Sequence, residues 1–148
     1  MPTVHRTITS TASPEAVWAV LADFTTTESW DPPTVSTRRV SGDGGPGTVY
    51  ENRSRMFGRE VPIRYTVTES RPPQLLRLRG EGSSFDADDT IEIHARDSGS
   101  VVDYTSDLRL HGVSRVASPF VGAFLRRTAD EAASRMAELF ARLDHPSR

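Results

Sequence analysis

Asp89 stands two residues before Ile91 and four before Ile93. If that segment is a strand, alternation puts all three side chains on one face, and Asp89 is the only carboxylate that parity carries toward an interior. A carboxylate in an apolar cavity has a raised pKa and can pass a proton to or from a carbonyl compound. The plainer and leading reading is a solvated strand end, because Asp89 belongs to a D-A-D-D run and such runs usually lie on the wet surface. The same parity ties Asn52 and Ser54 to Tyr50, and Ser106 to Tyr104. Arg6, Arg64 and Arg127 are the arginines that approach an interior, where a guanidinium would neutralise a carboxylate or an enolate. Arg64 alternates with Tyr65, which argues against it, whereas Arg127 falls near the edge of an apolar helical stripe. For each, a snorkelling surface arginine is the ordinary alternative. Asp89 and Arg127 are therefore the two weak catalytic candidates.

Other chemistries find less support. The chain has no cysteine, which excludes disulfides, thiolate metal sites and a cysteine nucleophile. His5, His94, His111 and His145 lack metal-ligand spacing, and Glu92 with His94 lies on the face opposite Ile91 and Ile93, so no metal is expected. There is no G-x-S-x-G elbow. The run G-D-G-G-P-G at 42–47 precedes a strand rather than a helix and reads as a turn, so no phosphate-bearing cofactor is expected.

Aromatic residues suggest what surrounds the candidates. Tyr50, Tyr65, Phe85 and Tyr104 fall on strands or strand ends, Trp30 lies in a polar connection, and Phe120 and Phe124 lie early in the last helix. Rings that also carry a hydroxyl suit a pocket that is mostly apolar but orients its ligand. Singly, each is as readily a core filler.

The elements that position these residues follow from periodicity. Residues 3–10 are rich in β-branched types and read as a strand. Ser13, Pro14 and Glu15 make a helix start, and Val17, Val20, Leu21 and Phe24 share a face. Residues 25–33, with a doubled proline, read as a connection with room for one helical turn. Strands follow at 35–41, 48–56, 61–69, 75–80, 85–96 and 101–110, with F-G-R-E at 57–60 as a hairpin loop. Short Gly/Pro/Asp loops between them imply an antiparallel meander. The chain closes in a helix from about Ser118 or, by an earlier start, Val113. Its stripe is Val121, Leu125, Thr128, Ala132, Met136, Leu139 and Leu143. Only this helix is long enough to cover the sheet, so an α+β fold is expected. In it, six to seven antiparallel strands curl around a long C-terminal helix, with one or two short helices after the first strand. A sheet gripping one helix leaves a gap, and the gap is a natural ligand cavity.

The totals bound the rest. The 148 residues fit a single domain, 1–148, and the net charge of −2 has no basic stripe, which argues against nucleic acid. No apolar run spans a bilayer and the N-terminus lacks a signal-peptide core, so a cytoplasmic protein, monomeric or homodimeric, is expected.

The segment I-T-S-T-A-S-P-E-A-V-W-A-V-L-A-D-F at 8–24 resembles the opening of the SRPBCC or START-like superfamily. Trp30, G-G-P-G and R-P-P-Q-L-L-R-L-R-G at 71–80 are similar to its polyketide cyclase/dehydrase and lipid-transport branch. The resemblance runs through the element order of the chain, and is most specific at 8–24. It implies a helix-grip fold with a hydrophobic cavity, without fixing one activity. The first functional expectation is binding of a lipid, polyketide or isoprenoid-like molecule by Trp30, Tyr50, Asn52, Tyr65, Phe85, Tyr104, Ser106, Phe120 and Phe124. The second is a cyclase, aromatase or dehydrase acting in the same cavity, which needs an ionisable group pointing inward. The third is an interaction module with an exposed apolar patch around Phe57, Val113 and Phe120. The cavity mouth is expected between the Trp30 loop, the F-G-R-E hairpin and the start of the last helix, with Gly112 and Gly122 as hinges.

Overall fold

A computed structural model describes residues 3–111 and 119–144. Ser118, Gly112, Val113 and His145 lie outside the described residues. The elements, in order, are β1 (Thr3–Ser10), α1 (Pro14–Leu21), a 3-10 turn (Phe24–Thr26), α2 (Thr27–Trp30), β2 (Thr34–Ser41), β3 (Val49–Met56), β4 (Arg59–Arg71), β5 (Leu75–Glu81), β6 (Phe85–Arg96), β7 (Gly99–Leu110) and α3 (Pro119–Asp144).

Local chemistry sets these boundaries. The Ser13 side chain accepts a hydrogen bond from the Ala16 N–H at 3.2 Å, satisfying one of the free donors that open α1. Asp23 does the same for the 3-10 turn through the Thr25 N–H at 3.1 Å. The connection expected over 25–33, with room for one helical turn, thus opens with two consecutive helical pieces. Met56 pairs with Arg59, so the hairpin loop is only Phe57–Gly58 rather than 57–60.

The seven strands form one antiparallel sheet in the order β1-β7-β6-β5-β4-β3-β2. Strands β2 to β7 are a meander. The segment from α1 to α2 carries the chain from β1 at one edge to β2 at the other. Register shifts at Thr34/Ser36, Arg39/Ser41 and Val67/Glu69 bend and twist the strands. The inward face carries Ile8, Tyr50, Asn52, Val67, Leu76, Leu78, Asp89, Ile91 and Val102, all under 9% exposed.

The α3 helix lies along β1 and contacts α2 and α1. Arg6 ties it down: its Nε donates to Asp130 Oδ1 at 2.8 Å and its guanidinium to the Arg126 carbonyl at 3.4 Å. Ala129, Ala132, Met136 and Phe140 are buried, whereas Val121, Leu125 and Thr128 are half-buried. The helix is therefore most closely packed along the line from Ala129 to Phe140, with Leu139 and Leu143 half-buried like Val121 and Leu125. Glu131 pairs with Arg127 at 3.7 Å. Among the described residues no helix is long and apolar enough to cross a membrane.

Candidate functional site

Where α2 meets the sheet, a small chamber is lined by Phe24, Thr27, Trp30, Asp31, Thr34, Asn52, Tyr65, Asp89 and Tyr104. Its empty volume is about 200 Å³, and the centre of a water molecule can range over about 10 Å³ of it. That is room for one water or one small functional group. Four aromatic rings form the walls. Phe24 lies 4.9 Å from Tyr65, and Trp30 meets Tyr104 edge-on at 5.8 Å. The Trp30 indole N–H donates to Thr26 Oγ1 at 3.1 Å, so this ring offers the chamber only its apolar body. Gly80 makes room for Tyr65, whose ring lies over the glycine where a Cβ would meet Cε1 at 2.6 Å.

Two carboxylates face this space. Asp89 is 4% exposed, and accepts a hydrogen bond from Ser106 Oγ at 2.6 Å. Burial pushes its carboxyl up from 3.8 to about 7, opposed by the Ser106 hydrogen bond and aided by repulsion from Asp31 and Asp88. Asp31 is half-buried, and its carboxyl is pushed up to about 6, again chiefly by desolvation, against the Thr34 hydrogen bond and the charge of Arg135. Burial also raises the phenols of Tyr65 and Tyr104 well above 10, with further push from both carboxylates. The tyrosines therefore stay protonated near neutral pH while the carboxyls exchange a proton there.

Below the chamber runs a directed hydrogen-bond chain. Thr34 donates to Asp31 Oδ2 at 2.6 Å and accepts from Asn52 Nδ2 at 2.9 Å. Asn52 gives its second N–H to Thr37 at 2.8 Å and accepts from Ser54 at 2.6 Å. Thr27 donates to the Phe24 carbonyl at 2.8 Å, so its 2.6 Å contact with Thr37 must be donated by Thr37. Every hydroxyl is oriented, which rigidifies a buried polar network.

The residues singled out from sequence divide into three groups. Trp30, Asn52, Tyr65, Asp89 and Tyr104 line the chamber, with Ser106 directly behind Asp89. Tyr50 is 1% exposed and packs on Phe24 at 5.8 Å, outside the lining. Phe85 and Phe124 are half-buried away from the chamber, and Phe124 stacks on Phe57 at 4.8 Å. Phe120 and Arg127 do not turn inward. Phe120 is 73% exposed and the Arg127 side chain 84%, because helical spacing puts both beside Phe124 on the outer edge of α3. Arg64 is also outside, beside Glu51 at 3.6 Å. The sequence reading missed Asp31, Thr27, Thr34 and Thr37. Asp31 lies in a turn, where alternation has no meaning. Thr34 and Thr37 are an odd number of positions apart, and both reach inward only because a bulge lies between them.

His5 and His94 bracket Asp103 on the opposite face of the sheet, at 3.2 and 3.4 Å. Among the described residues no group of three or more carboxylates and histidines is arranged to hold a metal.

Known structures share this architecture. A START superfamily protein from Mycobacterium smegmatis superposes with a TM-score of 0.80 at 16% identity, covering 95% of this chain and 98% of that one. The Zhui aromatase/cyclase from Streptomyces sp. R1128 gives 0.79 at 16% identity, covering 95% and 93%. A protein from Thermus thermophilus gives 0.82 at 17% identity, covering 99% and 100%. At such identities the likeness establishes the helix-grip fold. Among curated proteins none matches in sequence at a significant level. The family model described as polyketide cyclase/dehydrase and lipid transport matches residues 1–141, and the chain belongs to that family.

Proposed function

We propose that the chain binds a mostly apolar small molecule between sheet and α3, places an oxygen-bearing end in the chamber, and transfers protons there as a cyclase or dehydrase. The observation that carries this reading is Asp89, an inward carboxyl 4% exposed and poised to titrate near neutrality. A group of that kind is matched to general acid–base work. As a carboxylate, Asp89 takes a proton from the carbon between two carbonyls, and the resulting enolate attacks a second carbonyl of the same chain. Tyr65 and Tyr104 line the chamber and stay protonated, and their hydroxyls would donate hydrogen bonds to the enolate oxygen. The alkoxide formed by the attack takes that proton back from Asp89, which then removes the second proton of the same carbon and gives it to the departing hydroxyl, which leaves as water. Asp31, the more acidic of the two carboxyls, keeps Asp89 basic through its charge. The Zhui aromatase/cyclase, by its name, acts in this class, and the family description names both cyclisation and lipid transport.

A carrier without chemistry is the second reading. The narrowness of the chamber favours it, since a water molecule's centre ranges over only about 10 Å³ there, room for no more than one small group of a ligand. Asp89→Asn separates the two. For an enzyme, turnover of a poly-β-ketone substrate analogue falls by roughly 10²-fold or more while its affinity holds. Unchanged conversion by Asp89→Asn removes Asp89 from the chemistry, whereas binding with no conversion by the wild type leaves the carrier reading.

A further inference from the structure

The β3–β4 hairpin breaks a local rule. Both turn residues have positive φ, 51° at Phe57 and 79° at Gly58. Such a two-residue turn favours Asn-Gly or Asp-Gly, and a bulky aromatic in the left-handed region is a steric outlier. Phe57 gains little burial in return, because it is 63% exposed. Its ring stacks on Phe124 at 4.8 Å, and Phe120, one helical turn earlier, is 73% exposed. Two separate elements thus project three phenyl rings along one edge.

The surroundings of this edge carry a cationic excess. Residues 53–61 and 119–131 contain five arginines against Glu60, Asp130 and Glu131, with Glu60 3.8 Å from Arg55 and 4.0 Å from Arg53. Arg55 and Arg59 flank Phe57, and Arg127 follows Phe124 by one turn, 84% exposed with Glu131 at 3.7 Å. Beside this edge the apolar residues Val121 and Leu125 of α3, with Thr128, are only half-buried.

We infer that this edge docks on an anionic lipid surface, with Phe57, Phe120 and Phe124 entering the interface and Arg55, Arg59 and Arg127 meeting lipid phosphates. Projecting aromatics with a basic rim are the chemistry of interfacial binding, whereas a protein partner would be met by a groove or a broad flat face. The inference rests on the reading that the ligand is hydrophobic. Entry beside this edge would let such a ligand pass from lipid without crossing water.

Co-sedimentation of the full chain with vesicles tests this. One set is phosphatidylcholine and a second is phosphatidylcholine mixed with phosphatidylglycerol. The wild type is expected to bind the anionic vesicles, less so as salt rises, and to bind neutral vesicles weakly. Phe57→Asn keeps the turn, since Asn accepts positive φ, and is expected to cut binding roughly tenfold. Arg127→Gln is expected to cut it roughly fivefold, about 1 kcal/mol for one basic residue near an anionic surface. No binding by the wild type, or full binding by folded Phe57→Asn, overturns the inference. So does concentration-dependent self-association without vesicles that Phe57→Asn abolishes, which would assign the edge to a second copy of the chain. Asp89→Asn is expected to bind vesicles as the wild type does, so the chemistry and the docking fail independently.

Discussion

Asp89 and Ile91 are neighbours on the same face of β6, 4% and 0% exposed, yet they belong to different regions of the interior. From Ile91 onward the space between sheet and α3 is filled by side chains such as Leu76, Val102, Met136 and Phe140, none more than 1% exposed. From Asp89 toward β2 the interior instead encloses two carboxyls, two tyrosines and a threonine–asparagine network, with Asp89, Asn52, Thr27 and Thr37 buried and Asp31, Tyr65 and Tyr104 half-buried. Burial thus serves opposite ends in the two regions. The apolar region gains free energy for every area it removes from water, whereas the polar region gives some up to hold groups in unfavourable protonation states. A local departure from the apolar rule, held in place by a well-packed remainder, is what a functional site looks like.

Breaking the apolar region should have the largest effect. Phe140→Ala leaves a cavity at a 0% exposed position and is expected to cost about 3–5 kcal/mol, lowering Tm by about 10 °C. The titration of the chamber carboxyls should be untouched, which calorimetry and NMR on the variant would check together.

Asp89→Asn should act in the opposite direction. The Asp89 carboxyl titrates higher folded than unfolded, about 7 against 3.8, so the folded state holds a proton that the unfolded state releases. Its contribution is intact below about pH 4 and is lost as pH rises to about 7. Asparagine still accepts from Ser106 and removes the ionisation. The variant should therefore gain stability as pH rises through that window, by roughly 2–4 kcal/mol at pH 8, while losing turnover. Thermal melts across pH would show the gain.

Removing a member of the network should cost less. Asn52→Ala leaves the Ser54 hydroxyl without its acceptor and frees Thr34 and Thr37, for about 2 kcal/mol by denaturant titration. Smallest is Gly80→Ala, where a Cβ 2.6 Å from Tyr65 Cε1 pushes the ring aside. A cost of about 1 kcal/mol is expected, with a larger change in ligand affinity than in stability. Equal loss in both would remove Tyr65 from the site.

How legible this division was in the sequence depended on which element carried each residue. Alternation put Asp89 on the side of Ile91, and Asn52 on the side of Tyr50, because those strands are regular there. What alternation could not settle was depth: the strand was expected from 85, as β6 is found, but a D-A-D-D run in a strand's first residues is usually solvated, and only the packing of α2 over the sheet buries Asp89. Asp31 was hidden because a turn has no period, and Thr34 with Thr37 because a bulge resets it. Phe120 was misplaced by its type: an aromatic on an amphipathic helix suggests the core, but its phase sets it beside Arg127 on the outer edge. The architecture was the most legible part, since one long helix and six short-looped strands leave few ways to cover a sheet.

The most direct test of the account is a carbon-13 NMR titration of the aspartate carboxyls in the wild type and in Asp31→Asn. An Asp89 midpoint of about 7 that falls when the neighbouring charge is removed is expected. A midpoint near 3.8 that ignores Asp31→Asn would mean that Asp89 is solvated, and that the interior has no proton to give.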